Sequence, residues 1–306
     1  MCTRRRRRGQ MGRLDELLRP VPEPFFEKLG DLASADYVLF GVPLDATASY
    51  RGGSRFAPST IRRESQYLES YSPRTDFDWE DLRLVDAGDI DAEKVESTLT
   101  NIGEVAGELR RLGKLPVMLG GEHTVTLGAL RALRPDAVIV FDAHLDLRDV
   151  LFDERLCHAT YLRRAHEELA FRLMIIAARA LSSKEVAYAE ERDVTVVTAQ
   201  DVKRFGTGPV LGIAKDFLEG ARSLYLSIDM DAIDPAEAPA VANPSPEGIG
   251  VTELLDLVGG IVDERLVGLD LTEVSPSYDS GLTSIQAAYV VLETLYAHAK
   301  MRRLAP

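Results

Sequence analysis

Asp142, His144 and Asp146 stand at alternate positions directly after an apolar run, Val138-Ile-Val-Phe141. Carboxylates and imidazoles are the usual ligands of divalent transition metals. In an extended chain, residues i, i+2 and i+4 face one way, so the spacing predicts three ligands leaving one strand end on one side. An isolated D-x-H-x-D would suit turn and cap roles equally well. This chain repeats the arrangement, however: Glu122-His123, Asp229-x-Asp231 and Asp270-x-x-Glu273 also follow apolar runs.

His123, Asp142, His144, Asp146, Asp229 and Asp231 therefore form one candidate constellation. Four crowded carboxylates repel one another, and two divalent cations would balance their charge. Mixed carboxylate and imidazole donors suit Mn²⁺, Fe²⁺, Co²⁺ or Zn²⁺ better than Ca²⁺. Six ligands for two metals require bridging carboxylates, and a metal pair about 3.5–4 Å apart is the arrangement that activates water for hydrolysis. Cys157 is a single thiol, which argues against a structural zinc site.

Strands must carry these groups. Apolar runs read as strands at 37–41, 82–89, 115–120, 138–141, 173–177, 194–198, 223–229 and 266–270. Helices are expected near 58–65, 93–113, 124–134, 158–170, 183–192, 209–219, 251–263 and 281–302. The alternation predicts an α/β fold, a three-layer α/β/α sandwich whose central, mostly parallel sheet has about eight strands. Ligands of such sheets bind outside the carboxyl ends of the strands, where the polar clusters lie. Residues 11–33 read as irregular, because Pro20, Pro22 and Pro24 break any long helix.

The 306 residues are 45 % hydrophobic and 28 % charged, an ordinary globular composition. The net charge of −13 argues against nucleic-acid binding and would suit a small cationic substrate. Two cysteines cannot build a disulfide framework, so a reducing, cytoplasmic setting is expected. No apolar run reaches the roughly 20 residues that span a bilayer, so no membrane partner is expected. Residues 1–10, with Arg4 to Arg8, read as a basic, disordered tail, and 11–306 as a single domain.

Gly120-Gly-Glu-His123, Asp142-Ala-His-Leu-Asp146, Ser227-Ile-Asp-Met-Asp-Ala-Ile-Asp-Pro235 and Asp270-Leu-Thr-Glu-Val-Ser-Pro276 resemble the signature segments of the ureohydrolases. That family includes arginase and agmatinase. Gly41-Val-Pro-Leu-Asp45 and Ser49-Tyr-Arg-Gly-Gly-Ser-Arg-Phe-Ala-Pro58 extend the likeness, which is strongest to archaeal-type agmatinases. The resemblance implies an arginase-like fold, a homo-oligomer (trimer or hexamer) and two Mn²⁺ per subunit. His123, Asp142, Asp146 and Asp229 would hold one ion. His144, Asp142, Asp229 and Asp231 would hold the other, with Asp142 and Asp229 bridging. Water activated there would attack a guanidinium carbon, releasing urea and an amine. Asp146 would orient the nucleophile, and Glu273 would pair with the planar guanidinium. His158 would contact substrate and shuttle protons, for which a pKa near 6.5 is suited. Glu122 and Ala159 depart from the commoner Asp and Gly of the family. His166 and His298 match no motif and read as ordinary helix residues, and Asp234 as a turn residue.

The 147–156 loop bears on substrate. Arginase-like members carry Asn, Ser and Thr there to hold an amino-acid head, and this loop has almost none. Its Asp149, Asp153 and Glu154 could receive a distal ammonium or merely be solvated. Agmatine, giving putrescine and urea in polyamine biosynthesis, is the expected substrate. N1-aminopropylagmatine, guanidinobutyrate or arginine are the alternatives, and a carboxylated substrate would need a cation such as Arg148 or Arg155. A metal-dependent deacetylase would have no use for Asp229-x-Asp231, and a non-catalytic binding protein no reason to keep all six ligands with His158.

Overall fold

All eight expected strands form in the computed structural model, which describes residues 13–27 and 30–304. The basic stretch 1–10 lies outside the described residues. A ninth strand, β1 (Leu18–Arg19), is one that the proline-rich reading of 11–33 did not anticipate. It pairs antiparallel with β3 (Leu84–Ile90) at the sheet edge and stops at Pro20, which cannot donate to a ladder. A side chain at Gly88, whose φ is 95°, would run into the Arg19 carbonyl, so the glycine permits this pairing.

The other strands are β2 (Tyr37–Val42), β4 (Leu115–Gly120), β5 (Ala137–Phe141), β6 (Arg172–Ala178), β7 (Thr195–Thr198), β8 (Leu224–Asp229) and β9 (Leu266–Thr272). Their order across the sheet is β1-β3-β2-β4-β9-β8-β5-β6-β7. Every pairing after β1 is parallel. The last two strands slot between β4 and β5, so segments far apart in sequence become neighbours. Leu271 stands beside Leu119, Asp229 beside Thr272, and Ile228 beside Phe141. The carboxyl ends of β4, β9, β8 and β5 are thus level, and each motif follows one of them.

Strand β5 is buried along its length because both its faces are covered. Ile139 and Phe141 pack into one core layer, Val138 and Val140 into the other. The first layer takes Ile61 of α1 (Ala57–Ser65), Leu254 and Val258 of α8 (Val251–Ile261) and Val290 of α9 (Leu282–Leu304). The second takes Leu99 and Ile102 of α2 (Val95–Arg111), Leu130 of α3 (Thr126–Leu133) and Tyr161 of α4 (Tyr161–Glu168). Fully burying one such aliphatic side chain contributes about 1.5–3 kcal/mol, so these layers fix where the strand ends sit.

Three helix boundaries differ from expectation. The 158–170 helix starts only at Tyr161, leaving His158 in the loop before it. Residues 123–125 form a 3₁₀ turn ahead of α3. The region after β7 holds two helices, α6 (Ala199–Phe205) and α7 (Thr207–Phe217), meeting at Gly206 with φ 79°. The Thr198 hydroxyl and the Asp201 carboxylate cap α6 reciprocally, a signal readable in Thr-Ala-Gln-Asp. Helix α5 (Ser183–Glu191) is capped the same way by Ser182 and Glu185.

Candidate active site

The strict alternation expected for Asp142, His144 and Asp146 does not hold, yet the three still converge. The strand ends at Phe141, and the Asp142 carboxylate folds the exit back by accepting the His144 N–H at 2.6 Å. Asp146 then adopts φ 51°, a left-handed conformation that costs a non-glycine residue about 1–3 kcal/mol. Turn chemistry, rather than pleat, aims these ligands. Asp229 acts alike at the end of β8, where its Oδ1 accepts the Asp231 N–H at 2.7 Å. Asp231 in turn accepts the Ala143 N–H at 3.0 Å, locking the β5 and β8 exits together.

The His123 Nδ1 lies 3.2 Å from Asp142 Oδ2, 3.2 Å from Asp229 Oδ2 and 3.5 Å from Asp146 Oδ2. His144 Nδ1 lies 3.0 Å from Asp231 Oδ2 and 3.4 Å from Asp142 Oδ1. Buried His123 Nδ1 and Asp142 Oδ2 nevertheless have no partner in hydrogen-bonding geometry. Donor atoms about 3.0–3.5 Å apart are what a shared cation with bonds near 2.1 Å would impose. His123, Asp142 and Asp229 form one group able to hold a metal, and Asp142, His144 and Asp231 a second. Of the two expected bridging carboxylates, Asp142 is common to both groups. Asp229 belongs to the first alone, and Asp146 to neither, although its Oδ2 lies 3.5 Å from His123 Nδ1. Without cations the cluster is electrostatically costly. Burial, then the charge of Asp142, pushes Asp146 up to about 7, against the pull of both histidines. Burial, then Asp231 and Asp142, holds Asp229 well above the usual carboxylate range. The donor set fits divalent metal ions.

Asp270, which the sequence groups with the edge of the site, lies behind it. Its carboxylate accepts from Ser227 Oγ at 2.5 Å, the Tyr225 hydroxyl at 2.6 Å and Thr126 Oγ1 at 2.9 Å. Ser227 gives its only proton to Asp270, so at 2.8 Å it accepts from His123 Nε2. Burial opposes a charge on His123, but the carboxylates of Asp142, Asp146 and Asp229 outweigh it without a cation; with one bound, Nδ1 would be the bare nitrogen facing the carboxylates, the tautomer a metal requires. The Tyr161 ring stacks on His123 with centroids 4.6 Å apart. Sequence reasoning missed Ser227, although it lies inside the motif quoted above.

The sharp turn after β4 needs Gly121, where any side chain would collide with the Leu44 carbonyl. Gly121 accepts the Glu273 N–H at 2.8 Å, and Glu273 Oε1 accepts the His123 N–H at 2.6 Å. Glu273, with φ 67°, is thereby held beside the cluster. Burial, opposed by His123 and reinforced by Glu122 and Asp231, pushes its carboxyl up to about 8. His158 is buried, which lowers its pKa to about 4. Both ring nitrogens meet hydroxyls of the loop after β2: Nδ1 lies 3.3 Å from Thr47 Oγ1 and Nε2 3.1 Å from Ser49 Oγ. Glu122, whose pKa burial raises, accepts from the Thr47 N–H and hydroxyl at 2.6 and 2.8 Å. Neither threonine nor serine carried a signal in the sequence. A cavity of about 210 Å³ brings Ser49, His144, Asp146, His158, Asp229, Asp231 and Glu273 onto one wall system.

The acids of the 147–156 loop do not reach that cavity. Asp149 is paired with Arg164 at 2.8 Å, with Arg155 and Arg163 at 3.6 and 3.9 Å, while Asp153 and Glu154 are exposed. The distal wall instead has Arg148, Leu151, Asn243 and buried Glu185. Glu185 caps α5 and accepts the Leu147 N–H, and its Oε2 lies 3.7 Å from Arg148 Nε. Arg155, the other candidate cation, is spent on Asp149. Asp234 is a turn residue as expected, accepting from Ala236 and Gly248. His166 contacts Tyr188, and His298 contacts Tyr37, both away from the site.

Residues 35–296 match the arginase family. The N(1)-aminopropylagmatine ureohydrolase of Thermococcus kodakarensis is 35 % identical over 88 % of this chain and 93 % of its own. The agmatinase of Bacillus subtilis is 37 % identical over 87 % and 93 %. The crystal structure of an agmatine ureohydrolase from Thermoplasma volcanium superposes with a TM-score of 0.87 at 34 % identity, covering 94 % of this chain and 98 % of that one. With the sheet order, the donor cluster and these matches in hand, the chain belongs to the arginase family and is a hydrolase of C–N bonds in linear amidines.

Proposed function

We propose that this protein hydrolyses agmatine to putrescine and urea at a binuclear manganese centre held by His123, Asp142, His144, Asp146, Asp229 and Asp231. The observation that carries the reading is a buried carboxylate, Glu273, lining the same small cavity as His158 and as Asp229, His144 and Asp231 of the two donor groups. When bound, the ions would neutralise the aspartates and lower the pKa of water so that it can attack near neutral pH.

The protein's own groups do the rest. Glu273 pairs with the guanidinium and surrenders the proton that burial favours, since a desolvated carboxylate gains most from a paired cation. The bond from the guanidinium carbon to the alkyl-bearing nitrogen breaks, and the oxygen of water becomes the carbonyl oxygen of urea. His158, neutral at physiological pH, would take up a proton released by the attacking water at its free ring nitrogen and pass it to the departing amine. Asp146 orients the attacking water from the rim of the first donor group.

Agmatine is favoured over amino-acid substrates because the cation of the distal wall, Arg148, is balanced by Glu185, which leaves no free cation to receive a carboxylate. A second reading rests on that same arginine. Were Arg148 to leave Glu185, it could anchor a carboxylate, and guanidinobutyrate would become the substrate. The reading also treats 11–306 as one domain that works in the cytoplasm as a homo-oligomer. Urea release from agmatine, N1-aminopropylagmatine, guanidinobutyrate and arginine, measured in parallel, tests it. Agmatine is expected to give the highest kcat/KM, and dominant turnover of guanidinobutyrate would favour the second reading.

A further inference from the structure

We propose that Thr47 and Glu122 fix the tautomer of His158, holding its proton on Nδ1 and leaving Nε2 as the basic nitrogen. The inference rests on the reading of His158 as the proton carrier. It makes Thr47 and Glu122 positioning residues that never touch substrate.

The Thr47 hydroxyl has one proton and two lone pairs. Its Oγ1 lies 2.8 Å from Glu122 Oε1, 3.0 Å from the His158 backbone nitrogen and 3.3 Å from His158 Nδ1. Thr124 Oγ1 is farther off, at 3.5 Å. The other Glu122 oxygen already accepts the Thr47 N–H at 2.6 Å, which fixes the carboxylate's orientation. The hydroxyl donates to Glu122 Oε1, so the single Thr47 proton goes there. Both lone pairs are then turned towards His158. One accepts the backbone N–H, and the other can meet Nδ1 only if Nδ1 carries a proton.

A neutral imidazole has one N–H, so Nε2 is left with a lone pair. It faces Ser49 Oγ at 3.1 Å, and both residues line the cavity. In a neutral imidazole the choice of tautomer is the choice of which nitrogen can take a proton. A second carboxylate fixing a histidine tautomer through a hydroxyl already stands in this molecule, in Asp270 and Ser227 behind His123. In that case the relay ends in the opposite tautomer, as the two roles demand.

The test is ¹⁵N spectroscopy of the full chain labelled at its five histidines, first without added metal and then with diamagnetic Zn²⁺. The His158 signals are assigned by their loss in His158→Asn. Wild type and Thr47→Ser, which keeps the hydroxyl, are expected to show the proton on Nδ1. Glu122→Gln is isosteric, but its amide NH₂ would face Thr47 Oγ1 and donate to it. The Thr47 proton is then free to turn to Nδ1, and the His158 proton should move to Nε2. Urea turnover should fall about 100-fold in kcat with a far smaller change in KM, the size expected for losing a general acid–base group. Thr47→Val gives an independent arm, since it removes the acceptor and should leave a mixture of tautomers. A wild-type ring protonated on Nε2, or an unchanged tautomer in Glu122→Gln, would overturn the inference. The expected tautomers with no urea from any guanidino compound would support it and overturn the proposed function instead.

Discussion

His123 Nδ1 and Asp142 Oδ2 approach within 3.2 Å inside the protein, yet neither has a partner in hydrogen-bonding geometry. Leaving a buried polar atom unpaired costs about 1–3 kcal/mol, so two such atoms facing one another need a third party. A shared cation would be that party. Asp142 stands in both donor groups, which makes it the sensitive position. Asp142→Asn should therefore lose both metals after dialysis, and urea production with them. Elemental analysis checks this, and a variant that retains two metals per chain would refute the shared-ligand assignment.

Ser227 and Asp270 hold the His123 ring in its ligating tautomer without reaching the cluster. Removing an outer partner of this kind weakens metal binding about 10–100-fold. Ser227→Ala is expected to show that loss in a metal titration, while circular dichroism stays unchanged. Equal metal affinity in variant and wild type would mean that His123 needs no support.

Glu273→Gln should leave metal content intact and lower kcat/KM for agmatine by about 10²–10³-fold, the range for losing one well-placed electrostatic partner. An amide of the same shape still accepts the His123 N–H. A variant that lost its metals instead would place Glu273 in the metal site.

Acid should destabilise the fold through His298, far from the site. Burial, then the charge of Arg302, lowers its pKa to about 4, and the Tyr37 hydroxyl lies 2.9 Å from Nδ1. The unfolded chain binds this proton near pH 6.5 and the folded chain only near 4. Between those values the unfolded state holds more protons, so stability is full above pH 6.5 and falls as pH drops towards 4. His298→Gln should remove up to about 3 kcal/mol of that pH dependence, the free energy that separates a pKa of 6.5 from one of about 4. Denaturant melts between pH 7 and 4 measure it, and an equally steep decline in the variant would assign the effect to other groups.

Much of this was legible in the sequence because short apolar runs alternating with helical stretches point to doubly covered strands, whose charged exits then share an edge. All eight such runs became strands. The edge strand Leu18–Arg19 was not legible, since two residues carry no period and their pairing depends on a glycine 69 positions on. The six expected ligands were legible by type, and five of them, all but Asp146, stand in the two donor groups, though the turn made by Asp142 aims them, not the pleat. Thr47, Ser49, Ser227 and Glu185 were silent, because a hydroxyl or a capping acid acquires a role only from what the fold sets against it. Asp149, Asp153 and Glu154 were legible as charges and misleading as a subsite. Nearby arginines take Asp149, and the other two point to solvent.

Product analysis of agmatine incubated with the Mn²⁺-loaded protein in ¹⁸O-water tests the central claim most directly. One putrescine per urea is expected, with a single ¹⁸O in the urea and none in the amine. Ammonia with a ureido amine would mean that the wrong C–N bond is cut, and an absence of any product from agmatine would contradict the assignment itself.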